Sequence, residues 1–425
     1  MNDTFSLADA LRRDSEDDLA HFAQAFHHPR QSDGSPLTYL CGHSLGLQPK
    51  SAADFIQQEL DDWASLVVRG HEDARRPWIP YHRHASLPLA NLIGAEPGEV
   101  VAMNSLTLNL HLMMTSFFRP AGERNKVLME ASAFGSDRYA VVSQLHLHGL
   151  NETEHLIELA PRESERCLRT ADIIERIERE AQTLSLILLP GVQYLSGQAF
   201  ELEPIIAAAR RVGATVGIDL AHAVGNTLLR MHDWNADFAV WCSYKYLNAG
   251  PGATGGCFVH ARHARSFDLP RLAGWWGHDP ETRFEMGPQF RPIAGAEGWQ
   301  LSNPPILATA PLLASLELFE RAGIVNLRRK SIALTGYFEN LLRAVLGDAI
   351  RIITPPDPAQ RGCQLSLRVL PSQAEAKRCF ARLGAAGVLV DWRDPDIIRL
   401  APIPLYNSFA DCFVAAQALN AAVHA

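Results

Sequence analysis

Between residues 100 and 260, short apolar runs alternate with stretches whose apolar positions recur at helical spacing. The runs are Lys126 to Glu130, His155 to Leu159, Ser185 to Leu189, Thr215 to Asp219 and Phe238 to Cys242. Between them, Ile173, Ile174, Ile177 and Ala181 share one helical face behind a Thr170 cap, and Ile205, Ile206 and Ala209 repeat the pattern. Alternation of this kind predicts an α/β fold, a mainly parallel sheet covered by helices.

The pattern changes after a predicted helix from Pro311 to Ala322, stopped by Gly323. A long helix near 325–345 leads to an extended segment at 363–370, a helix at 373–383, a strand pair at 387–400 and a last helix from about 408. These elements predict a smaller α+β domain. The expected division is an N-terminal segment, 1–65, that joins the small domain, a large domain, 66–325, and the small C-terminal domain, 326–425. Sites in open α/β sheets lie outside the carboxyl ends of the strands, so the loops there are the place to look for chemistry.

Composition narrows the function classes. The 425 residues are 47% hydrophobic and 20% charged, enough to bury at least one large core. The net charge of -8 comes from 39 basic and 47 acidic residues spread along the chain without basic runs. Nucleic acid and membrane surfaces are therefore poor partners. The N-terminus, MNDTFSLADALRRDSEDD, has mixed charge and no apolar core, and no later run approaches the roughly 20 apolar residues that span a bilayer. A cytoplasmic location is expected. Seven cysteines lie far apart with no CxxC pair, which predicts reduced, mostly buried thiols and no metal site.

The strongest local signal is Trp241-Cys-Ser-Tyr-Lys245-Tyr-Leu-Asn-Ala-Gly-Pro-Gly252, where a lysine follows an apolar run and precedes a glycine-rich turn. A lysine held at a strand end beside aromatic rings can lose its proton and form an imine with a carbonyl cofactor. Taken alone, it also suits a solvated surface. Upstream, Val216-Gly-Ile-Asp219-Leu-Ala-His222 places a carboxylate at the end of an apolar strand. Pyridoxal phosphate acts as an electron sink while its ring nitrogen stays protonated, and an anion beside that nitrogen keeps it so. His222 could hold the carboxylate in place or be a structural histidine.

A phosphate needs donors. Asn104-Ser-Leu-Thr107 precedes a helix with the apolar face Leu106, Leu110, Met113, Met114 and Phe117, so free N–H groups and the Thr107 hydroxyl would point at an anion; a plain capping turn would look the same. Phe134-Gly-Ser-Asp137 follows the run ending at Glu130. Its ring could stack on a flat cofactor, and Ser136 or Asp137 could equally be a simple helix cap. Together these pieces supply an imine lysine, a pyridinium carboxylate, a stacking ring and a phosphate turn.

At this point the chain resembles kynureninases, members of the class V aminotransferase-like branch of fold type I pyridoxal-phosphate enzymes. The shared strings run from about residue 40 to 410: SLGLQPK, GHE with RPW, FxSD, PGVQY, DLAHAVGN, HDW, WCSYKYLNAG, GWWGH, SNPPI, LTGY and APIPLYNSF. The resemblance implies a seven-stranded sheet, pyridoxal 5'-phosphate as cofactor, and hydrolytic cleavage of L-kynurenine or its 3-hydroxy derivative, in tryptophan catabolism and NAD biosynthesis. By the same likeness, Lys245 is similar to the Schiff-base lysine, Asp219 to the pyridinium partner, and Phe134 to the residue over the ring, with Gly135 and Ser136 in the same cofactor loop. His222 and Asp137 resemble polar groups beside the cofactor, and Leu106, Thr107 and Tyr244 resemble its phosphate side. Trp275 and Asn303 resemble positions lent by the other subunit, which implies a homodimer with shared sites.

For the small-molecule substrate, Arg399 resembles the arginine that takes the α-carboxylate, and His71 and Ser44 resemble positions around the aromatic end. Tyr244 is the candidate general acid. The chain departs from the family at His43, where GNSLG is usual, at Gly135, where FPSD is usual, and at Trp276, where animal members have Phe. These departures bear on ring-substituent preference, not on reaction class.

Two rival readings follow from other strings. Gly250-Pro-Gly252-Ala-Thr-Gly255 matches GxGxxG, but it leads into the apolar run Gly256 to His260 instead of opening a helix. A cysteine desulfurase or selenocysteine lyase of the same fold would need a reactive thiol, and Cys363 is the one tempting position.

Overall fold

The computed structural model describes residues 5–425, so residues 1–4 of the expected N-terminal segment lie outside the described residues. In chain order the strands are β1 (Thr38–Tyr39), β2 (Val100–Ala102), β3 (Lys126–Glu130), β4 (Leu156–Leu159), β5 (Leu184–Pro190), β6 (Thr215–Asp219) and β7 (Phe238–Trp241). They continue with β8 (Gly256–Val259), β9 (Ile350–Ile352), β10 (Leu365–Val369), β11 (Val388–Leu389), β12 (Asp391–Arg393) and β13 (Ile397–Leu400). A seven-stranded sheet has the order β2-β8-β7-β6-β5-β3-β4. Only β8 runs against its neighbours, β2 and β7; the other pairings are parallel. The expected mainly parallel sheet flanked by helices is what the chain forms.

The apolar runs are continuous because both faces of this sheet are covered. Along β5, Leu186 and Leu188 enter one core with Met113, Phe117, Phe238 and Val240. Ile187 and Leu189 turn the other way, to Ile173, Ile177, Ile205 and Leu312. Period-two alternation thus sends neighbouring apolar residues into two different cores.

Gly217, in the middle of β6, is a packing requirement. A Cβ there would meet the Phe238 ring at 2.2 Å. Phe238 in turn stacks on Phe117 at 5.3 Å.

A second, antiparallel sheet has the order β12-β13-β10-β9, and β1 pairs with β11 in a parallel two-stranded sheet. A third core joins Leu334, Phe338 and Leu341 of helix Ile324–Leu346 to Leu365, Leu367, Leu400 and Leu419, with Ala10 and Leu40 from the N-terminal stretch. The N-terminal stretch is tied in by polar contacts too. Asp14 accepts the backbone N–H groups of Phe409 and Ala410 at 2.7 and 3.0 Å, capping the last helix, Phe409–His424.

Three local expectations need revision. The helix expected from Pro311 starts at Ile306 and carries Pro311 inside it, because burial of Leu312, Leu313, Leu316 and Phe319 outweighs one lost backbone bond. Thr170 is the first helical residue, not the cap, and its hydroxyl binds the Glu201 carboxylate; Ala181 lies beyond the helix end at Arg179. β2 is only three residues long, too short to stand out as a run. Among the described residues, no helix is long and apolar enough to cross a membrane.

Gly217→Ala is expected to destabilise the fold by about 1–3 kcal/mol, since Phe238 cannot move without disturbing its stack on Phe117. Thermal unfolding checks this; an unchanged Tm would show that the ring has room to yield.

Candidate active site

The parallel strands deliver their last residues to one edge. Asp219 ends β6 opposite Pro190 at the end of β5, and Glu130 ends β3 on the other side of β5. A cavity opens there. Its wall includes Leu106, Thr107, Phe134, Ser136 and Asp137 from the helix starts, and Asp219, His222, Tyr244 and Lys245 from the loops after β6 and β7. Residues separated along the chain by more than a hundred positions therefore meet in one place, as the parallel topology requires.

Lys245 stands beside aromatic rings and a histidine. Its Nζ lies 3.1 Å from His222 Nε2 and 5.7 Å from the centre of the Phe134 ring. Burial, followed by the charges of Lys245 and Arg399, pushes the pKa of His222 well below its ordinary value, so the imidazole is neutral. With its Nε2 facing the ammonium, Nδ1 is left buried without a partner. The Phe134 ring is partly exposed, 42%, and packs edge-on against Tyr194 at 5.2 Å, which leaves a face open at the cavity.

The acidic side of the cavity holds three carboxyl groups. Asp219 accepts the Ala221 N–H at 2.7 Å. Burial, reinforced by the neighbouring Asp219, raises the pKa of Asp137 well above the carboxylate range, and its Oδ1 has no hydrogen-bond donor. Burial and the neighbouring carboxylate thus both disfavour a negative charge on Asp137. Glu130 is pushed up to about 7, chiefly by burial; its one hydrogen bond, from Gln193 Nε2, is long at 3.4 Å.

The phosphate-binding expectation rests on a helix start. Helix Leu106–Phe117 has Ser105 at its cap with no side-chain bond to the first turn, so the leading N–H groups point outward unpaired. Gly255 lets the strand pass close behind: its N–H donates to the Asn104 carbonyl at 2.7 Å, and a Cβ there would press on the Trp241 carbonyl at 2.8 Å. Helix Gly135–Leu147 also starts without a side-chain cap, so Ser136 and Asp137 are not spent on capping it.

Arg399, on β13, is not on the cavity wall; it lies behind Tyr194, 6.0 Å from that ring, and is 1% exposed. Its Nε donates to Asp391 Oδ2 at 2.7 Å and its Nη1 to the Tyr194 carbonyl at 2.6 Å, while Nη2 lies 2.5 Å from the same Asp391 oxygen. Of five N–H groups this leaves one on each terminal nitrogen, the fork that a carboxylate fits.

Other expected positions are not on this cavity wall. His71 packs edge-on against Trp78 at 5.6 Å, and Ser44 lies in the Cys41–Gly46 loop with its N–H on the Cys41 carbonyl. Gly135 sits in the Phe134 loop against Tyr139. Trp275 and Asn303 are exposed, and the Trp275 indole N–H donates to the Arg283 carbonyl. In the other direction, Glu130 and Tyr194 line the cavity and Asp391 holds Arg399, and none of the three stood out in the sequence.

With this geometry in place, likeness to known proteins becomes informative. Residues 327–419 match the family described as "Kynureninase C-terminal domain". The chain is 55% identical over 404 residues to the kynureninase of Koribacter versatilis, covering 95% of each chain. It is 56% identical over 411 residues to that of Xanthomonas euvesicatoria, covering 97% of each. The chain belongs to the kynureninase family.

Among solved structures, a cysteine desulfurase from Thermococcus onnurineus superposes with a TM-score of 0.74 at 17% identity, over 91% of this chain and 95% of that one. The cysteine desulfurase CsdA of Escherichia coli gives 0.75 at 16% identity, over 96% and 98%. At such identity the likeness is one of fold. The site agrees with kynureninase membership: Cys363 is fully buried, its N–H is fixed to Asn226 Oδ1 at 3.0 Å, and burial pushes its thiol up to about 12. That thiol is not a nucleophile at neutral pH. The GxGxxG string runs directly into strand β8, as the rival reading could not allow. Glu99, His232 and His260 lie close enough to suggest a metal site. Their lone pairs are already engaged, however: Glu99 Oε1 takes the Ala261 N–H at 2.6 Å and His260 Nδ1 takes the Arg262 N–H at 3.0 Å.

Proposed function

We propose that this chain cleaves the Cβ–Cγ bond of L-kynurenine, or of 3-hydroxy-L-kynurenine, with water, giving L-alanine and the corresponding anthranilate. The observation that carries this reading is the meeting of Lys245, the Asp219–Asp137 pair, the Phe134 face and the Leu106–Thr107 helix start on one cavity wall. Those residues fit pyridoxal 5'-phosphate. The unpaired N–H groups at Leu106 and Thr107 suit its phosphate, the Asp219 carboxylate suits a protonated ring nitrogen, and the Phe134 face suits its ring. His222 Nδ1 and Asp137 Oδ1, buried without partners, are the kind of polar atoms a cofactor satisfies. When bound, the cofactor supplies an electron sink for the α-carbon of an amino acid.

The chain's own groups then have separable tasks. Arg399 holds the α-carboxylate through its two remaining N–H groups. Lys245, next to neutral His222, takes and returns the proton at Cα. Tyr244 is raised above its ordinary pKa, chiefly by burial, so its phenol keeps its hydrogen and serves as the general acid. His71 and Ser44 are assigned to the aromatic end by resemblance to the family, with Ser44 on the loop that abuts the lysine turn.

The same reading includes the assembly. Trp275 and Asn303 are exposed and stand off their own cavity, in a region that also exposes Phe267, Leu272, Phe284 and Met286. A second copy of the chain covers this surface and receives both side chains at its site. The large and small domains divide near residue 325, supported by the family match that begins at 327 and by the core around Phe338 and Leu367. A cytoplasmic location agrees with seven cysteines that form no disulfide.

Purified protein supplied with the cofactor is expected to convert L-kynurenine to equimolar alanine and anthranilate, seen by chromatography. Lys245→Ala should lower kcat by about a thousandfold or more and remove the borohydride-sensitive visible band. Absence of both products from a coloured protein would overturn the assignment. Mixing an inactive Lys245→Ala chain with an inactive Trp275→Ala/Asn303→Ala chain should restore part of the activity, because one site of the mixed dimer has every group intact. If a tagged pull-down shows mixed dimers and activity stays absent, the two residues act within their own chain.

A further inference from the structure

The loop from Cys41 to Gly46 is pressed against the lysine's own turn. Gly46 donates its N–H to the Tyr244 carbonyl at 2.9 Å, and a Cβ on Gly46 would come within 2.4 Å of the Lys245 carbonyl oxygen. His43 stands in the middle of this loop and is fully buried. Neither of its ring nitrogens has a hydrogen-bond partner. A buried polar group left unpaired costs folding free energy, so this imidazole weakens the fold unless it gains a partner.

Its surroundings offer one. His43 Nε2 lies 4.0 Å from Asp391 Oδ2. The same oxygen faces three N–H groups, Nε and Nη2 of Arg399 at 2.7 and 2.5 Å and Nε of Arg393 at 3.0 Å. On its other side, the His43 ring is 6.4 Å from that of His222, the neighbour of Lys245. Burial, then the charges of Arg399, Lys245 and Arg393, drives the pKa of His43 well below its ordinary value. The ring is therefore neutral, with one N–H to give.

Asp391 is divided between two arginines. Arg393 lies on the same strand, β12, and Arg399 faces Asp391 across the β12–β13 pairing. A carboxylate that swings fully to Arg393 frees Arg399, and an arginine free to move holds a substrate carboxylate less well. A polar N–H aimed at Asp391 from the buried loop biases that division.

We propose that His43 is a positioning residue for the substrate clamp, holding its Nε2 hydrogen towards Asp391 from 4.0 Å and so biasing that carboxylate towards Arg399. The inference rests on the reading of Arg399 as the α-carboxylate ligand. It gives a role to one of the positions at which this chain departs from the usual family string, which has asparagine there. Both side chains can donate, so the departure preserves the task while changing the reach.

The test uses the holoenzyme and two ligands that differ only in the carboxylate, L-alanine and L-alaninamide, with dissociation constants read from the change in cofactor absorbance. His43→Leu should weaken L-alanine about tenfold and raise KM for kynurenine by a similar factor, with kcat within about twofold and L-alaninamide unaffected. His43→Asn should recover most of the loss. If the leucine variant does not fold, His43→Gln, which keeps a donor on a longer stem, should bind L-alanine within about threefold of wild type, and a tenfold loss there overturns the proposal. The deciding measurement is a double-mutant cycle: adding His43→Leu to Asp391→Asn should cost nothing beyond Asp391→Asn alone. Additive losses, or equal weakening of both ligands, would overturn the proposal. If Arg399→Ala leaves L-alanine binding unchanged, the clamp reading itself has failed, a result distinct from additivity at His43.

Discussion

Two carboxyl groups buried together cannot both be charged, and at the carboxyl end of this sheet that constraint shapes everything around it. Asp219 and Asp137 share the cavity, and burial with the repulsion of Asp219 disfavours a charge on Asp137. Asp219 is fixed at the end of its strand, on the same cavity wall as Lys245. Such a site wants a cationic, protonated ring beside the acids and an electrophilic carbon beside the lysine. The adjacent Glu130, held near neutrality by burial, adds no full charge to upset that balance.

The remaining contacts serve to hold these groups still. Glycines let neighbouring elements approach where a side chain would block them: Gly217 beneath Phe238, Gly255 behind the start of helix Leu106–Phe117 and Gly46 against the lysine turn. Neutral His222 accepts Lys245 without adding a second positive charge. Arg399, tied to Asp391 and to the Tyr194 carbonyl, brings the second sheet to the mouth of the first.

Much of this was legible in the chain, and the parts that were not have physical reasons. β3 and β6 appear with the expected bounds because fully covered strands are unbroken apolar runs. Lys245, Asp219 and Phe134 stood out because each follows such a run. Their convergence is a property of parallel pairing, which no local window contains. Glu130 looked like the end of a strand, Tyr194 like part of a loop, and Asp391 like a surface charge. Glu130 and Tyr194 matter through partners far away in sequence, Asp219 and Phe134, and Asp391 through Arg399 on the neighbouring strand. The start of the helix at Ile306 was hidden by Pro311, a residue more often found at a helix beginning than inside one. His43 was visible only as an unexpected letter in a familiar string, and its burial beside Asp391 could not be read from the string.

The central claim is that Asp219 acts through its negative charge, and Asp219→Asn removes the charge while keeping the shape. The decisive measurement is kcat for L-kynurenine in that variant, alongside its visible spectrum. In Asp219→Asn the cofactor should stay linked to Lys245 while kcat falls by about a hundredfold or more, because a neutral amide cannot hold a proton on the ring nitrogen. A variant that keeps the cofactor and turns over within about threefold of wild type would contradict it.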